Sequence, residues 1–154
     1  MTSINQNFRV YDLMSLVSFR PVSDAVLTCY LHWLQSTTEN VYFANPSLFR
    51  YMQVFDNSAQ RLLDVDDWTH YNYVCFPVNI NDWHWTLAVF RVQDKATIYY
   101  MDSLNESKQQ VLESIPAQLV QKLEIFGRSG CISEFNPEFE VIMVPRQKKG
   151  NNDC

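Results

Sequence analysis

The fold turns on the run Tyr73-Val74-Cys75-Phe76-Pro77-Val78-Asn79-Ile80-Asn81-Asp82-Trp83-His84-Trp85-Thr86-Leu87-Ala88-Val89-Phe90-Arg91-Val92. Residues 73–80 are rich in β-branched and aromatic side chains, which suit a pleated, half-buried surface. Residues 79–82 carry turn chemistry. Residues 85–92 alternate less cleanly, as a strand buried on both faces does. Residues 96–101, Ala-Thr-Ile-Tyr-Tyr-Met, read as a third strand, joined to the second through Gln93-Asp94-Lys95 in a hairpin. Residues 139–144 supply a fourth strand before a polar tail.

Outward from this sheet the period changes to helical. Residues 23–35 predict a helix capped by Ser23 or Asp24, with Ala25, Val26, Tyr30, Leu31 and Leu34 recurring at helical spacing. Residues 46–54 predict a second helix, with Pro46 in its tolerated first turn. Residues 57–63 suggest a short third. A further helix is expected over 105–126, opening at Asn105 or Ser107, bent at Pro116 and stopped by Gly127. Helices, then a sheet of about four strands, then a helix and a last strand make an α+β fold in one domain spanning 1–154.

Composition excludes several classes. A 47% hydrophobic and 14% aromatic chain of 154 residues is long and apolar enough to bury a core of its own. The net charge is −5, and Arg146, Lys148 and Lys149 form only a short basic cluster, so no nucleic-acid partner is expected. No apolar run reaches the ~20 residues a bilayer requires, and the first residues lack a secretory signal layout. A cytoplasmic or nuclear protein is expected, inside a host cell if it is a delivered effector. Cys29, Cys75, Cys131 and Cys154 form no CxxC pair and share no metal-ligand spacing with the three histidines, so neither metal nor cofactor is expected. Cys29 and Cys75 sit in apolar segments and read as small core residues.

Thiol catalysis needs a base that takes the cysteine proton, an acceptor that sets the imidazole tautomer, and donors for the oxyanion. His84 opens one strand and Asp102 ends the next, 102 − 84 = 18 residues later. If those strands pair through the 93–95 hairpin, the two residues become neighbours. A late cysteine, Cys154, completes the order His, Asp, Cys. From the residues alone a packed histidine, a turn-capping aspartate and an ordinary tail cysteine remain an equal alternative.

At these residues the chain resembles the Ulp/SENP family of ubiquitin-like-protein proteases, within the adenain-like clan of cysteine peptidases. The His84-Trp85 pair inside residues 78–89, the Tyr99-Tyr100-Met101-Asp102-Ser103-Leu104 element, and Gln147 followed by Asn152-Asp153-Cys154 match the family's motifs in order. Ser23-Asp24-Ala25-Val26-Leu27 resembles its N-terminal helix. The resemblance covers about residues 20–154 and implies a papain-like or adenain-like fold, with N-terminal helices packed on a central mixed sheet. It implies that His84 is the general base, Asp102 its orienting acid, Cys154 the nucleophile and Gln147 the side-chain donor to the oxyanion. Trp85 would line a narrow channel that admits a diglycine tail and rejects bulkier sequences by clash. The implied partner is SUMO, ubiquitin or a relative, processed at its C-terminal glycine by a monomeric enzyme. A non-catalytic binding module and a clan-related acetyltransferase are the alternatives.

Three departures from the family pattern accompany the match. Met101 intervenes between Tyr100 and Asp102. Gln147 lies 154 − 147 = 7 positions before the cysteine, one more than the pattern has, and Pro21 stands where a second channel tryptophan would. The family's cysteine also begins a helix whose N–H groups and dipole stabilise the thiolate. With Cys154 as the last residue that helix is expected to be missing, and a chain ending there is expected to be nearly inactive.

Overall fold

The computed structural model describes residues 9–17, 21–47, 70–80, 82–91, 97–104 and 138–146. Over these residues the elements are α1 (Val10–Met14), α2 (Asp24–Thr37), β1 (Val41–Phe43), β2 (Tyr73–Ile80), β3 (His84–Arg91), β4 (Thr97–Met101) and β5 (Glu138–Ile142). The strands form one mixed sheet in the order β1-β2-β3-β4-β5. The central pairs β2–β3 and β3–β4 are antiparallel, and the outer pairs β1–β2 and β4–β5 are parallel. The fold is α+β.

The helix α2 begins where its sequence says it should. The Ser23 hydroxyl accepts from the Val26 N–H at 3.4 Å, satisfying one of the four unpaired donors of the first turn. Asp24 adds a carboxylate at the positive end of the helix dipole. Ser15 ties α1 to this start: its hydroxyl donates to the Asp12 carbonyl at 2.7 Å and accepts from the Ser23 N–H at 3.2 Å. The short α1 is not among the helices expected above, although Val10, Leu13, Met14 and Val17 recur at helical spacing.

The strand β1 is also absent from the sequence-based expectation, which has four strands rather than five. Three residues are too few to show a period, and the strand exists because its two sides find partners. Asn40, in the left-handed region at φ 60°, turns its carbonyl to accept from the Asn72 and Tyr73 N–H groups at 2.8 and 3.2 Å. That anchors the start of β1 beside the start of β2. On the other side the Gln35 carboxamide acts like a further strand. Its Nε2 donates to the Val41 carbonyl at 2.9 Å, and its Oε1 accepts from the Phe43 N–H at 2.9 Å. Gln35→Ala removes both bonds and is expected to lower stability by about 1–3 kcal/mol, measurable as a lower urea midpoint at unchanged slope.

Most of the described core of the sheet lies on one face, with Cys75 and Pro77 buried on the other face of β2. Across β2, β3 and β4 the register sets Val74 beside Phe90 beside Ile98, and Phe76 beside Ala88 beside Tyr100. All six are buried, together with Val78 and Thr86 one row further along. Placing alanine between two large rings lets the aromatic pair fill the space above the strand without overpacking. In β3 the burial alternates regularly, with His84, Thr86, Ala88 and Phe90 buried. The opposite residues Trp85, Leu87 and Val89 are half-buried, so a partly covered second face accounts for the imperfect alternation in the sequence.

The expected helices over 57–63 and 105–126 lie outside the described residues, as does all of the 46–54 helix beyond its first two positions. Among the described residues no helix is long and apolar enough to cross a membrane.

Candidate active site

The core face of the sheet ends in polar residues. Leu87 pairs with Met101, so continuing the antiparallel register sets Asp102 opposite Thr86. His84 stands two residues along β3 on that same face, diagonal to Asp102 rather than directly opposite. Diagonal neighbours lie within reach of long or ring-bearing side chains. The His84 Nε2 and Asp102 Oδ1 are 2.7 Å apart, in the range of a charge-assisted hydrogen bond. Both residues are buried, at 2% and 8% exposure. An ionised carboxylate only accepts, and in the tautomer that donates from Nε2 to Asp102 the acceptor position of the imidazole is Nδ1.

Two local structures hold this pair. Asp102 Oδ1 also accepts from the Leu104 N–H at 2.9 Å, an Asx-type turn that fixes the carboxylate where β4 ends. Before β3, the chain reverses through Asp82 at φ 60°, and the Trp83 N–H donates to the Ile80 carbonyl at 3.2 Å. Aspartate tolerates the left-handed region better than most residues. The tight reversal lets β3 begin directly at His84, paired with Ile80.

Trp85 faces the other way, as the strand period requires. Its indole Nε1 donates to the Val22 carbonyl at 2.8 Å, across 63 positions of sequence. The half-buried Pro21 and Val22, immediately before the Ser23 cap, therefore stand beside Trp85. Neither the Val22 carbonyl nor the contact of Trp83 with His84 is signalled in the sequence, because both depend on where the turn and the helix start settle.

Gln147 and Cys154 lie outside the described residues. The strand that leads to them is described. β5 runs parallel to β4, with Ile142 beside Met101, so residues 143–146 leave the sheet at the end where Asp102 and His84 stand.

Cys75 belongs to the sheet, not to this site. It is buried, and desolvation pushes its thiol from about 9.0 up to about 11. The folded state therefore holds the Cys75 proton more tightly than the unfolded chain. The thiol's contribution to stability is constant below pH 9 and is lost as pH rises from about 9 toward 11. Iodoacetamide at pH 8 is expected to leave Cys75 unmodified in the native protein and to alkylate it in urea, read by peptide mass mapping.

The family model for the Ulp1 protease family, C-terminal catalytic domain, matches residues 22–154. Among solved structures, SUMO protease Ulp1 with its catalytic cysteine oxidized to a sulfinic acid superposes with a TM-score of 0.80 at 19% identity. That match covers 97% of this chain and 68% of that one. The C-terminal Ulp1 protease domain in complex with Smt3, the yeast ortholog of SUMO, gives 0.77 at 19% identity, over 94% of this chain and 65% of that one. The Xanthomonas campestris effector XopD bound to ubiquitin gives 0.65 at 17% identity, over 98% and 73%. A comparison with curated proteins returned no match. At these identities the structural likeness is one of fold, and it is the match over residues 22–154 that decides membership: the chain belongs to the Ulp1 protease family, at the C-terminal catalytic domain.

Proposed function

We propose that residues 1–154 form a single cysteine-peptidase domain that cuts a ubiquitin-like protein after its C-terminal glycine. Cys154 is the nucleophile, His84 the base, Asp102 the group that orients it, and Gln147 a donor to the oxyanion. The observation that carries this reading is the buried 2.7 Å contact between His84 Nε2 and Asp102 Oδ1. A buried imidazole locked by a carboxylate presents Nδ1 in one orientation, which is what a thiol base requires. The exit of β5 at the same end of the sheet supports Cys154 as the residue that meets it. The solved relatives seen with Smt3 and with ubiquitin support a modifier of that class as substrate.

The chemistry follows from those roles. The Cys154 proton passes to His84 Nδ1, and the thiolate attacks the glycine carbonyl carbon. The Gln147 amide stabilises the resulting oxyanion. The intermediate collapses as His84 returns the proton to the leaving amine, which gives a thioester and a free amino group. Water, deprotonated by the same imidazole, then releases the glycine carboxylate and the thiol. Trp85, fixed through Val22, forms one wall of the slot for the diglycine tail.

Vinyl-sulfone derivatives of SUMO and of ubiquitin test the assignment in the full-length protein. Covalent labelling by at least one of them, abolished in Cys154→Ala and His84→Ala, is the expected result. Labelling that persists in Cys154→Ala, or no labelling by either modifier, overturns it. Binding of a modifier without labelling would identify a non-catalytic binding module instead.

A further inference from the structure

The His84–Asp102 pair sits at one end of the central strands, where water would ordinarily reach it. His84 is the first residue of β3 and follows a tight reversal, and Asp102 is the residue just past β4. Nevertheless His84 is only 2% exposed. Trp83, one residue earlier, is 47% exposed, and its ring centroid lies 5.6 Å from that of the imidazole, with the planes tilted by 39°. The indole thus has one side in water and the other toward the histidine ring. Its backbone is pinned by the hydrogen bond to Ile80 just after the left-handed Asp82, which fixes where the ring starts from beside the imidazole.

We propose that Trp83 is a positioning residue that shields the His84–Asp102 hydrogen bond from water. This rests on the reading of that pair as the orienting half of the catalytic site. The physical reason is dielectric. A charge-assisted bond in a dry setting is stronger and more directional than the same bond with water competing for the carboxylate. The imidazole meets the Asp102 carboxylate from β4 and the Trp83 ring from the turn. Asp82 is the other ionisable group in that turn and is exposed. Shielding by the indole holds the ring at one angle, with Nε2 toward Asp102 and Nδ1 presented for chemistry. A half-exposed indole that merely filled a gap would leave the bond's access to water unchanged when removed.

The test reads water access directly, without relying on turnover. The Nε2 proton of His84 should give a low-field proton resonance that disappears in Asp102→Ala. Its exchange with water is then measured by saturation transfer in wild type, Trp83→Phe and Trp83→Ala. Trp83→Ala is expected to speed this exchange about tenfold or more while the backbone amides of Ala88 and Tyr100 keep their protection. Trp83→Phe should stay close to wild type, since a ring of similar placement still covers the bond. In the full-length protein the alanine variant should lower kcat with KM nearly unchanged. Exchange unchanged in Trp83→Ala overturns the proposal. So does a parallel loss of protection at Ala88 and Tyr100, which would mean that Trp83 only stabilises the fold. A wild-type resonance too broad to observe would show a wet bond and has the same consequence. Failure of the vinyl-sulfone test would remove the catalytic role and leave the exchange result standing.

Discussion

Asp102→Ala in the full-length protein is expected to lower kcat about a thousandfold, equal to about 4 kcal/mol of lost transition-state stabilisation. The carboxylate does two jobs in the structure. It accepts the Nε2 proton of His84 at 2.7 Å, and it accepts the Leu104 N–H at 2.9 Å. Without it, the imidazole is free to place its proton on Nδ1, where it can no longer act as base toward the thiol. The buried Nε2 also loses its partner, so the ring has reason to turn. Asp102→Asn should retain far more activity than the alanine variant. The asparagine oxygen can still accept from Nε2, although the negative charge is lost and an NH2 donor replaces the second oxygen. Steady-state kinetics on a modifier precursor check the order wild type, then Asn, then Ala. Equal activity in Ala and wild type would remove Asp102 from the mechanism.

The second large effect lies beneath the site, in the row Phe76–Ala88–Tyr100. Phe76 is 2% exposed and Tyr100 and Ala88 are fully buried. Phe76→Ala is expected to lower stability by about 3–5 kcal/mol, since the neighbours collapse only partly into the space left. A domain of ordinary stability holds about 5–15 kcal/mol in all, so the variant should be partly unfolded at 37 °C or nearly so. The next row is Val78 and Thr86, with Asp102 at its end by continuation of the register. A cavity under Ala88 therefore loosens the strands that set the His84–Asp102 distance. Phe76→Leu keeps much of the volume and should be clearly milder, about 1–2 kcal/mol. Guanidinium melts of the two variants give the comparison, and a loss below 1 kcal/mol in Phe76→Ala would contradict the burial of this row.

The three central strands were readable because each is long enough to show β composition and because short connections leave antiparallel pairing as the natural result. If those strands pair through the 93–95 hairpin, His84 and Asp102 become near neighbours, and the register sets them diagonally. Ser23 as cap of α2 was readable for a similar reason, since its hydroxyl acts only three residues away. Strand ends fell within one or two residues of those expected: β3 begins at His84 rather than residue 85, and β5 covers Glu138–Ile142 rather than 139–144. The roles of Gln147 and Cys154 came from motif order and remain proposals, as those residues lie outside the described ones.

What the sequence determined by itself is thus the local material: the α+β class, the central strands and the proximity of a histidine and an acid. Periodicity and short loops carry that information because they act over a few residues. Tertiary structure alone decided the rest. It brought β1 alongside β2 through Asn40 and Gln35, and β5 alongside β4, so that residues 143–146 leave the sheet at the His84 end. It also closed Trp85 onto Val22 and set the Trp83 ring against His84. Each of these depends on where distant segments come to rest, and no local pattern encodes a hydrogen bond made 63 residues away.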